Sequence, residues 1–213
     1  MDYSKYKTIV FDCDGVVLDS NQVKIQAYYD TAINLGDTPE QAQALVDYHV
    51  MLGGISRYVK FEYYLREIAK RPANEDAIQV YLNEFGRILD IALMDCQIAP
   101  NLLSLKQKTP HLRWMMLSGG DQLEVQTIFQ RRNIAHLFEA GIFGSPDNKD
   151  VVLEREIAIG NLQLPALFIG DSKYDHQAST RAGLDFVFLS DWTDVVDWQG
   201  YCENNKIHVM HRL

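Results

Sequence analysis

Residues Thr8-Ile9-Val10-Phe11 form a short apolar, largely β-branched run that ends in Asp12-Cys13-Asp14-Gly15. Such a run reads as a strand buried on both faces, as in a parallel sheet. Two carboxylates two residues apart at a strand end fall on the same side of the chain. They repel each other and are costly to desolvate, so a compensating charge is required. A divalent cation is the simplest candidate, because hard metals take oxygen ligands. Gly15 permits a sharp turn or a close approach to a ligand. Taken alone, the stretch fits equally well a strand followed by an acidic glycine turn.

The remainder of the chain decides the architecture. Leu112–Leu117 gives the next strand signal. From there strands and helices alternate: a helix with Leu123, Val125, Ile128 and Phe129, a strand at 140–143, a helix at 147–159, a strand at 166–169, a helix at 174–182 and a strand at 185–189. This rhythm predicts an α/β fold, a doubly wound parallel sheet with helices on both faces. Between the first two strands lie about a hundred residues, far more than the dozen or so a parallel crossover needs. They carry four helical patterns. One is opened by Thr38-Pro39-Glu40 as N-cap and first-turn proline, and another is closed by Arg71-Pro72. The spacing therefore predicts an inserted helical domain over residues 20–97, with residues 1–19 and 98–213 forming the core domain. The segment 99–108 reads as the true crossover helix. In the tail, residues 191–213, Trp192, Trp198 and Tyr201 read as packing residues and not as a binding platform, with His208 and His211 able to share a helix face.

Net charge narrows the function classes. At −9 the chain is poorly suited to a general nucleic-acid-binding surface, and an anionic substrate would need local positive groups. No apolar run is long enough to span a bilayer. Cys13, Cys96 and Cys202 are odd in number and far apart, which argues against a disulfide scaffold or a structural zinc site. With a start that lacks a signal-peptide layout, this predicts a cytoplasmic protein.

In an open parallel sheet, ligands bind beyond the C-terminal ends of the strands. The first strand delivers Asp12 and Asp14 there. The second delivers Ser118-Gly119-Gly120, the third leads to Lys149, and the fourth gives Gly170-Asp171-Ser172 with Asp175 four residues on. Each group alone has an ordinary reading as a loop, a surface lysine or a helix cap. Together they suit phosphoryl transfer, which asks mostly for positioning and charge stabilisation. A carboxylate can act as nucleophile, Mg²⁺ can bridge oxygens, and a second carboxylate can move the proton.

With FDCDGVVLDS, MMLSGG, the lysine of GSPDNKD, and FIGDSKYD in this order, the chain resembles a haloacid dehalogenase (HAD) superfamily hydrolase with a helical C1-type cap. The likeness is to its phosphoglycolate phosphatase and β-phosphoglucomutase-like members. The resemblance covers essentially the whole chain and implies Asp12 as nucleophile and Asp14 as general acid/base. It implies Mg²⁺ held by Asp12, the Asp14 backbone carbonyl and Asp171, with Asp175 supporting the metal shell. It implies phosphoryl binding by Ser118, Gly119 and Lys149. The superfamily's dehalogenases lack the second aspartate of the first motif, so Asp14 points to phosphate chemistry. Val16 stands where many of the phosphatases have threonine, and this also resembles β-phosphoglucomutase.

The inserted cap should close over the site, with hinges near Asp19-Ser20 and residues 96–100. Gly53-Gly54-Ile55-Ser56-Arg57 reads as a loop tip similar to one whose arginine grips a non-transferring phosphate. That role is carried to Arg57, with Lys60 one turn on adding to it. Both residues equally fit solvated charges at a helix start. The expected activity is Mg²⁺-dependent hydrolysis of a small-molecule phosphate monoester, a sugar phosphate or phosphoglycolate-like compound. The alternatives are a phosphosugar mutase, or a binding protein on the same fold that has lost turnover.

Overall fold

The computed structural model describes residues 2–213. Six strands form one sheet in the order β3-β2-β1-β4-β5-β6, every neighbouring pair parallel. They are β1 (Thr8–Phe11), β2 (Arg113–Asp121), β3 (Ile142–Ser145), β4 (Ala166–Gly170), β5 (Asp185–Leu189) and β6 (His208–Met210). β1 lies between β2 and β4, and its four residues are fully buried. Alternation across the pleat sends Ile9, Phe11, Trp114, Met116, Leu167 and Ile169 to one face and Val10, Met115, Leu117 and Phe168 to the other. The first face packs on α5 (Leu102–Lys108) and α6 (Gln122–Arg131). The second packs on α7 (Lys149–Ala158) and α8 (Lys173–Arg181). This is the doubly wound parallel arrangement that the alternating pattern predicts.

Two readings of the sequence are corrected. In the tail, Trp192 packs on the core and Trp198 stacks on Phe188, but α9 (Trp198–Asn205) leads into a strand, β6, that pairs with β5. His208 is therefore a strand residue and shares no helix face with His211. The second strand also does not stop at Leu117. It continues through Ser118, Gly119 and Gly120 to Asp121, and its register with β3 shifts there.

The insertion between β1 and β2 begins with α1 (Asn21–Asn34), α2 (Pro39–Met51) and α3 (Arg57–Tyr63), which runs into a π turn at Tyr64–Ile68. The long α4 (Glu75–Asp95) follows. Thr38 caps α2 in a reciprocal capping box with Gln41, and Pro39 takes the first turn, as the sequence predicts. α4 buries Tyr81, Leu82, Phe85, Leu89 and Leu93, one stripe at helical spacing. These meet Tyr28 of α1 and Phe61 of α3, with the Tyr28 and Phe85 rings 4.3 Å apart. The two linkers of the insertion run side by side. Leu18 and Ile98 form an antiparallel bridge, Asp19 N–H donates to the Gln97 carbonyl, and Ala99 N–H donates to that of Val17, both at 2.9 Å.

A single carboxylate ties the far end of the insertion together. Asp37, after α1, accepts from Tyr64 Oη at 2.5 Å and Tyr81 Oη at 2.6 Å, and also from Arg71. Its side chain is only 3% exposed, so removing it strands two buried hydroxyls and a guanidinium. Asp37→Ala should lower the unfolding free energy by about 2 kcal/mol or more, measured by urea titration, and a loss below about 0.5 kcal/mol would show the network to be idle.

Candidate active site

The strand ends converge. β1 stops at Phe11, and Asp12 N–H still donates to the Ile169 carbonyl at 2.9 Å, which sets Asp12 beside the end of β4. A tight turn follows: the N–H groups of Val17 and Leu18 donate to the Cys13 carbonyl, and Gly15 N–H donates to that of Leu18. Gly15 adopts φ +71°, and a β-carbon there would collide with Asp171 Oδ2, so only glycine fits. Asp171 follows β4, and Asp175 sits in the first turn of α8. Its Oδ2 accepts from both Ser172 N–H and Ser172 Oγ.

Lys149, at the start of α7, joins these elements. Its Nζ donates to Asp12 Oδ1 at 2.7 Å and to Asp175 Oδ1 at 2.5 Å, and the side chain is 1% exposed. Burial would lower its pKa, but the two carboxylates outweigh burial and raise it, so the ammonium stays charged. Asp12, Asp171 and Asp175 each offer a carboxylate oxygen within 4.8 Å of the others, all three buried. One lysine does not neutralise three acids. Burial, then Asp175, push Asp12 up to about 7 against the pull of Lys149. Burial, with Asp12 and Asp175, holds Asp171 well above the usual carboxylate range, and its carboxylate accepts one hydrogen bond, from Asn21 Nδ2 at 2.7 Å. Crowded, under-compensated oxygens of this kind fit a hard divalent cation, so this cluster could hold one.

Asp14 lies outside that cluster. Its Oδ1 accepts from Ser20 Oγ at 2.5 Å and its Oδ2 from Lys24 Nζ at 2.6 Å, both at the entry to α1. Burial would raise its pKa, but the charge and hydrogen bond of Lys24, with Ser20, bring it below the ordinary value. Ser118 is buried and accepts from Gly120 N–H at 2.9 Å. Ser118 and Lys149 border one cavity, of about 300 Å³. Asp12, Asp14 and Asp171 border another, of about 40 Å³, with Lys24, Arg57 and Lys60. Gly54, Ile55 and Gly119 form a wall common to both.

The inserted helices are closed down on the sheet. The backbones of Gly54 and Gly119 touch so closely that a β-carbon at Gly119 would lie 2.9 Å from the Gly54 carbonyl carbon. Arg57 and Lys60 are not solvated helix-start charges. Arg57 is 5% exposed and makes a two-pronged ion pair with Glu124 of α6, at 2.5 and 2.8 Å. Tyr58 Oη donates to Asp121 at 2.9 Å. Lys60 Nζ is 2.7 Å from His49 Nδ1. Sequence reasoning does not single out Asn21, Lys24, His49, Glu124 or Asp194, all of which reach this region. Each belongs to a helix or loop whose pattern is otherwise ordinary, and its partner lies elsewhere in the chain.

The chain belongs to the haloacid dehalogenase-like hydrolases, whose family model matches residues 6–183. Among curated proteins, none matches the sequence significantly. Among solved structures it is similar to a "predicted phosphoglycolate phosphatase" from Haemophilus somnus 129pt, with TM-score 0.68 and 21% identity over 89% of this chain and 87% of that one. It is also similar to a HAD hydrolase of family IA, variant 3, from Entamoeba histolytica, with TM-score 0.74 and 14% identity over 97% and 93%. A third likeness is to a "predicted phosphatase" from Clostridium acetobutylicum, with TM-score 0.72 and 16% identity over 96% and 93%. At these identities the likeness is one of fold, helical insertion included. Among the described residues, no helix is long and apolar enough to cross a membrane.

Two outcomes follow from the geometry. Replacing Asp171 by Asn removes a repelled charge, so in chelator the Asp171→Asn protein should melt above wild type. Added Mg²⁺ should raise the wild-type melting temperature and leave the variant's unmoved. A variant that melts lower in chelator would contradict the reading of an under-compensated cluster. Gly119→Ala should hold the cap off the core. Amide exchange over residues 53–60 should then quicken at least about tenfold while the sheet amides keep their protection.

Proposed function

We propose that the protein is a Mg²⁺-dependent phosphatase that hydrolyses a small-molecule phosphate monoester through an aspartyl-phosphate on Asp12. The observation that carries this reading is the Lys149 bridge, which fixes the Asp12 carboxylate within a buried acidic cluster that borders a cavity between the sheet and the inserted helices. Residues 20–97 act as the cap and residues 1–19 with 98–213 as the core.

Asp12 attacks the phosphorus atom, an Oδ–P bond forms, and the bond to the leaving oxygen breaks. Lys149 offsets the negative charge that gathers on the nucleophile and the phosphoryl oxygens. Ser118 Oγ and the N–H of Gly119 bind those oxygens from the β2 side. Asp14 is ionised beside Lys24, so the proton that reaches the departing alkoxide is one that the Lys24 ammonium, 2.6 Å away, passes through the Asp14 carboxylate, and the proton later taken from water returns by the same route. In the second half Asp14 takes a proton from water, which attacks phosphorus and frees Asp12. Asp12, Asp171 and the Asp14 backbone carbonyl would hold Mg²⁺, with Asp175 behind them, and the cation would draw charge from the phosphoryl oxygens. The closed cap keeps bulk water from the chamber.

The pairing of Arg57 with Glu124 supports hydrolysis over the mutase reading. The guanidinium charge is already matched by an acid, and two of its five N–H donors are engaged, before any second phosphate arrives. Phosphate release from a panel of small phosphate esters should require Mg²⁺ and cease in chelator. Asp12→Asn should lower kcat by at least about a thousandfold, on the scale of losing a nucleophile. An Asp12→Asn protein with full turnover would exclude the mechanism.

A further inference from the structure

Serine and asparagine at a helix start ordinarily serve the helix, by satisfying its free N–H groups. The start of α1 is different. Ser20, its N-cap residue, makes no side-chain cap hydrogen bond, and its Oγ donates instead to Asp14 Oδ1. Asn21, the next residue, is buried and turns its side-chain amide toward the core. Its Nδ2 donates to Asp171 Oδ2 and to the Trp192 carbonyl, each at 2.7 Å. Both partners are acceptors, so the NH₂ end of the amide must face them, and both of its hydrogens are used. Thr193, one residue beyond Trp192, donates its Oγ1 to the Asp171 backbone carbonyl at 2.6 Å. One asparagine of the insertion thus joins α1, the acid after β4 and the loop after β5.

Asp171 is lightly held apart from this. Among the described residues its carboxylate accepts no other hydrogen bond, and Oδ2 is the oxygen that packs against Gly15. The outer torsion of an aspartate is broad, so a carboxylate without partners turns easily. Asp12 and Asp175 lie close enough to repel it. The Asn21 amide opposes that rotation. It engages Oδ2 and leaves Oδ1 free of protein donors, on a carboxylate of the cluster that could hold a cation. Two helix-start residues therefore serve acids of the core in place of their own helix, a local rule broken where the site needs it.

We propose that Asn21 is a positioning residue of the cation site, which orients Asp171 for Mg²⁺ and so makes Mg²⁺ binding and the docking of α1 on the core favour each other. This rests on the Mg²⁺ part of the phosphatase reading above. A group that hydrogen-bonds a metal ligand fixes its orientation, and losing it commonly costs roughly ten- to a hundredfold in metal affinity. The dependence runs both ways by linkage: if docked α1 favours the cation, the bound cation favours docked α1 by the same factor. Asn34, the last residue of the same helix, supplies the contrast. Its Nδ2 donates to Glu84 within the insertion at 2.8 Å, far along the helix from Asp171.

Calorimetric titration of Mg²⁺ into the full-length protein reads the affinity. Asn21→Ala should weaken binding by roughly tenfold or more. Asn34→Ala, which loosens the same helix away from the site, should bind within about twofold of wild type. Amide exchange reads the converse: Mg²⁺ should slow exchange over residues 22–28 by about threefold or more in wild type and leave it unchanged in Asn21→Ala. Should alanine disturb folding, which the melting temperature in chelator reads, Asn21→Leu, close in size and without donors, takes its place. A loss of affinity under about threefold in both Asn21 variants, or an equal loss in Asn34→Ala, overturns the proposal and leaves the phosphatase reading standing. A wild-type protein that binds no Mg²⁺ overturns the proposal together with the Mg²⁺ dependence on which it rests. A protein that binds Mg²⁺ through Asn21 yet hydrolyses no ester upholds the proposal although the phosphatase reading falls.

Discussion

The Lys149 ammonium is the interaction on which the rest of the site depends. It holds Asp12 at the end of β1 and Asp175 in the first turn of α8, and it sits itself at the start of α7. Two like charges about 4 Å apart repel by about 4 kcal/mol at the effective dielectric of a protein surface, and by more when buried. Without the lysine, three carboxylates at the ends of β1 and β4 would have to protonate or separate. With it, two are bound and the third, Asp171, is left raised in pKa and lightly hydrogen-bonded. The sheet enforces this crowding. β1 and β4 are paired in register up to Phe11 and Ile169, so the residues after them have nowhere else to go. A site that is unfavourable when empty is thus built from a rigid and apolar sheet.

The cap has its own hydrophobic contacts, but its polar residues look toward the core. Asn21 reaches Asp171, Lys24 reaches Asp14, Arg57 reaches Glu124, and Tyr58 reaches Asp121. Ion pairs buried in this way contribute little net stability, since desolvation offsets the attraction, but they are strongly selective about geometry. They make the arrangement specific without making it very tight. The apolar contacts of the cap lie deeper, among Tyr28, Phe61, Tyr81 and Phe85, and hold its helices together.

The fold was legible because its signals are local. β1, β4 and β5 are unbroken apolar runs, the α2 cap is written in Thr38-Pro39, and the insertion follows from chain length alone. β6 escaped because three residues, His208-Val209-Met210, carry no period, and the strand exists only because β5 offers an edge. The π turn after α3 escaped because it follows from the fit of Tyr64 and Leu65 against the cap core and not from propensity. At the site, Asp12, Lys149 and Asp171 were legible jointly, since each follows a strand, whereas Ser118 lies within β2. The partners of Arg57 and Lys24 were not. Glu124 is 67 residues from Arg57 and reads as an ordinary first-turn acid of α6. Lys24 reads as a helix-surface lysine until α1 is seen to start against the site.

The insertion point links closure to chemistry. Asp14 belongs to two structures at once. Its backbone lies in the tight turn that begins at Cys13, and its side chain is held by Ser20 and Lys24, at the very start of the cap. Only four residues separate it from Asp19, whose N–H pairs with the Gln97 carbonyl where the two linkers meet. A rotation of α1 away from the core must either break the bond from Lys24 or carry the Asp14 carboxylate with it. The same rotation must release Asn21 from Asp171. A cap inserted at any other strand would leave the carboxylates indifferent to its position. Inserted after β1, the helices hold Asp14 through Lys24 and Asp171 through Asn21, so the placement of the insertion and the surroundings of both acids are tied together.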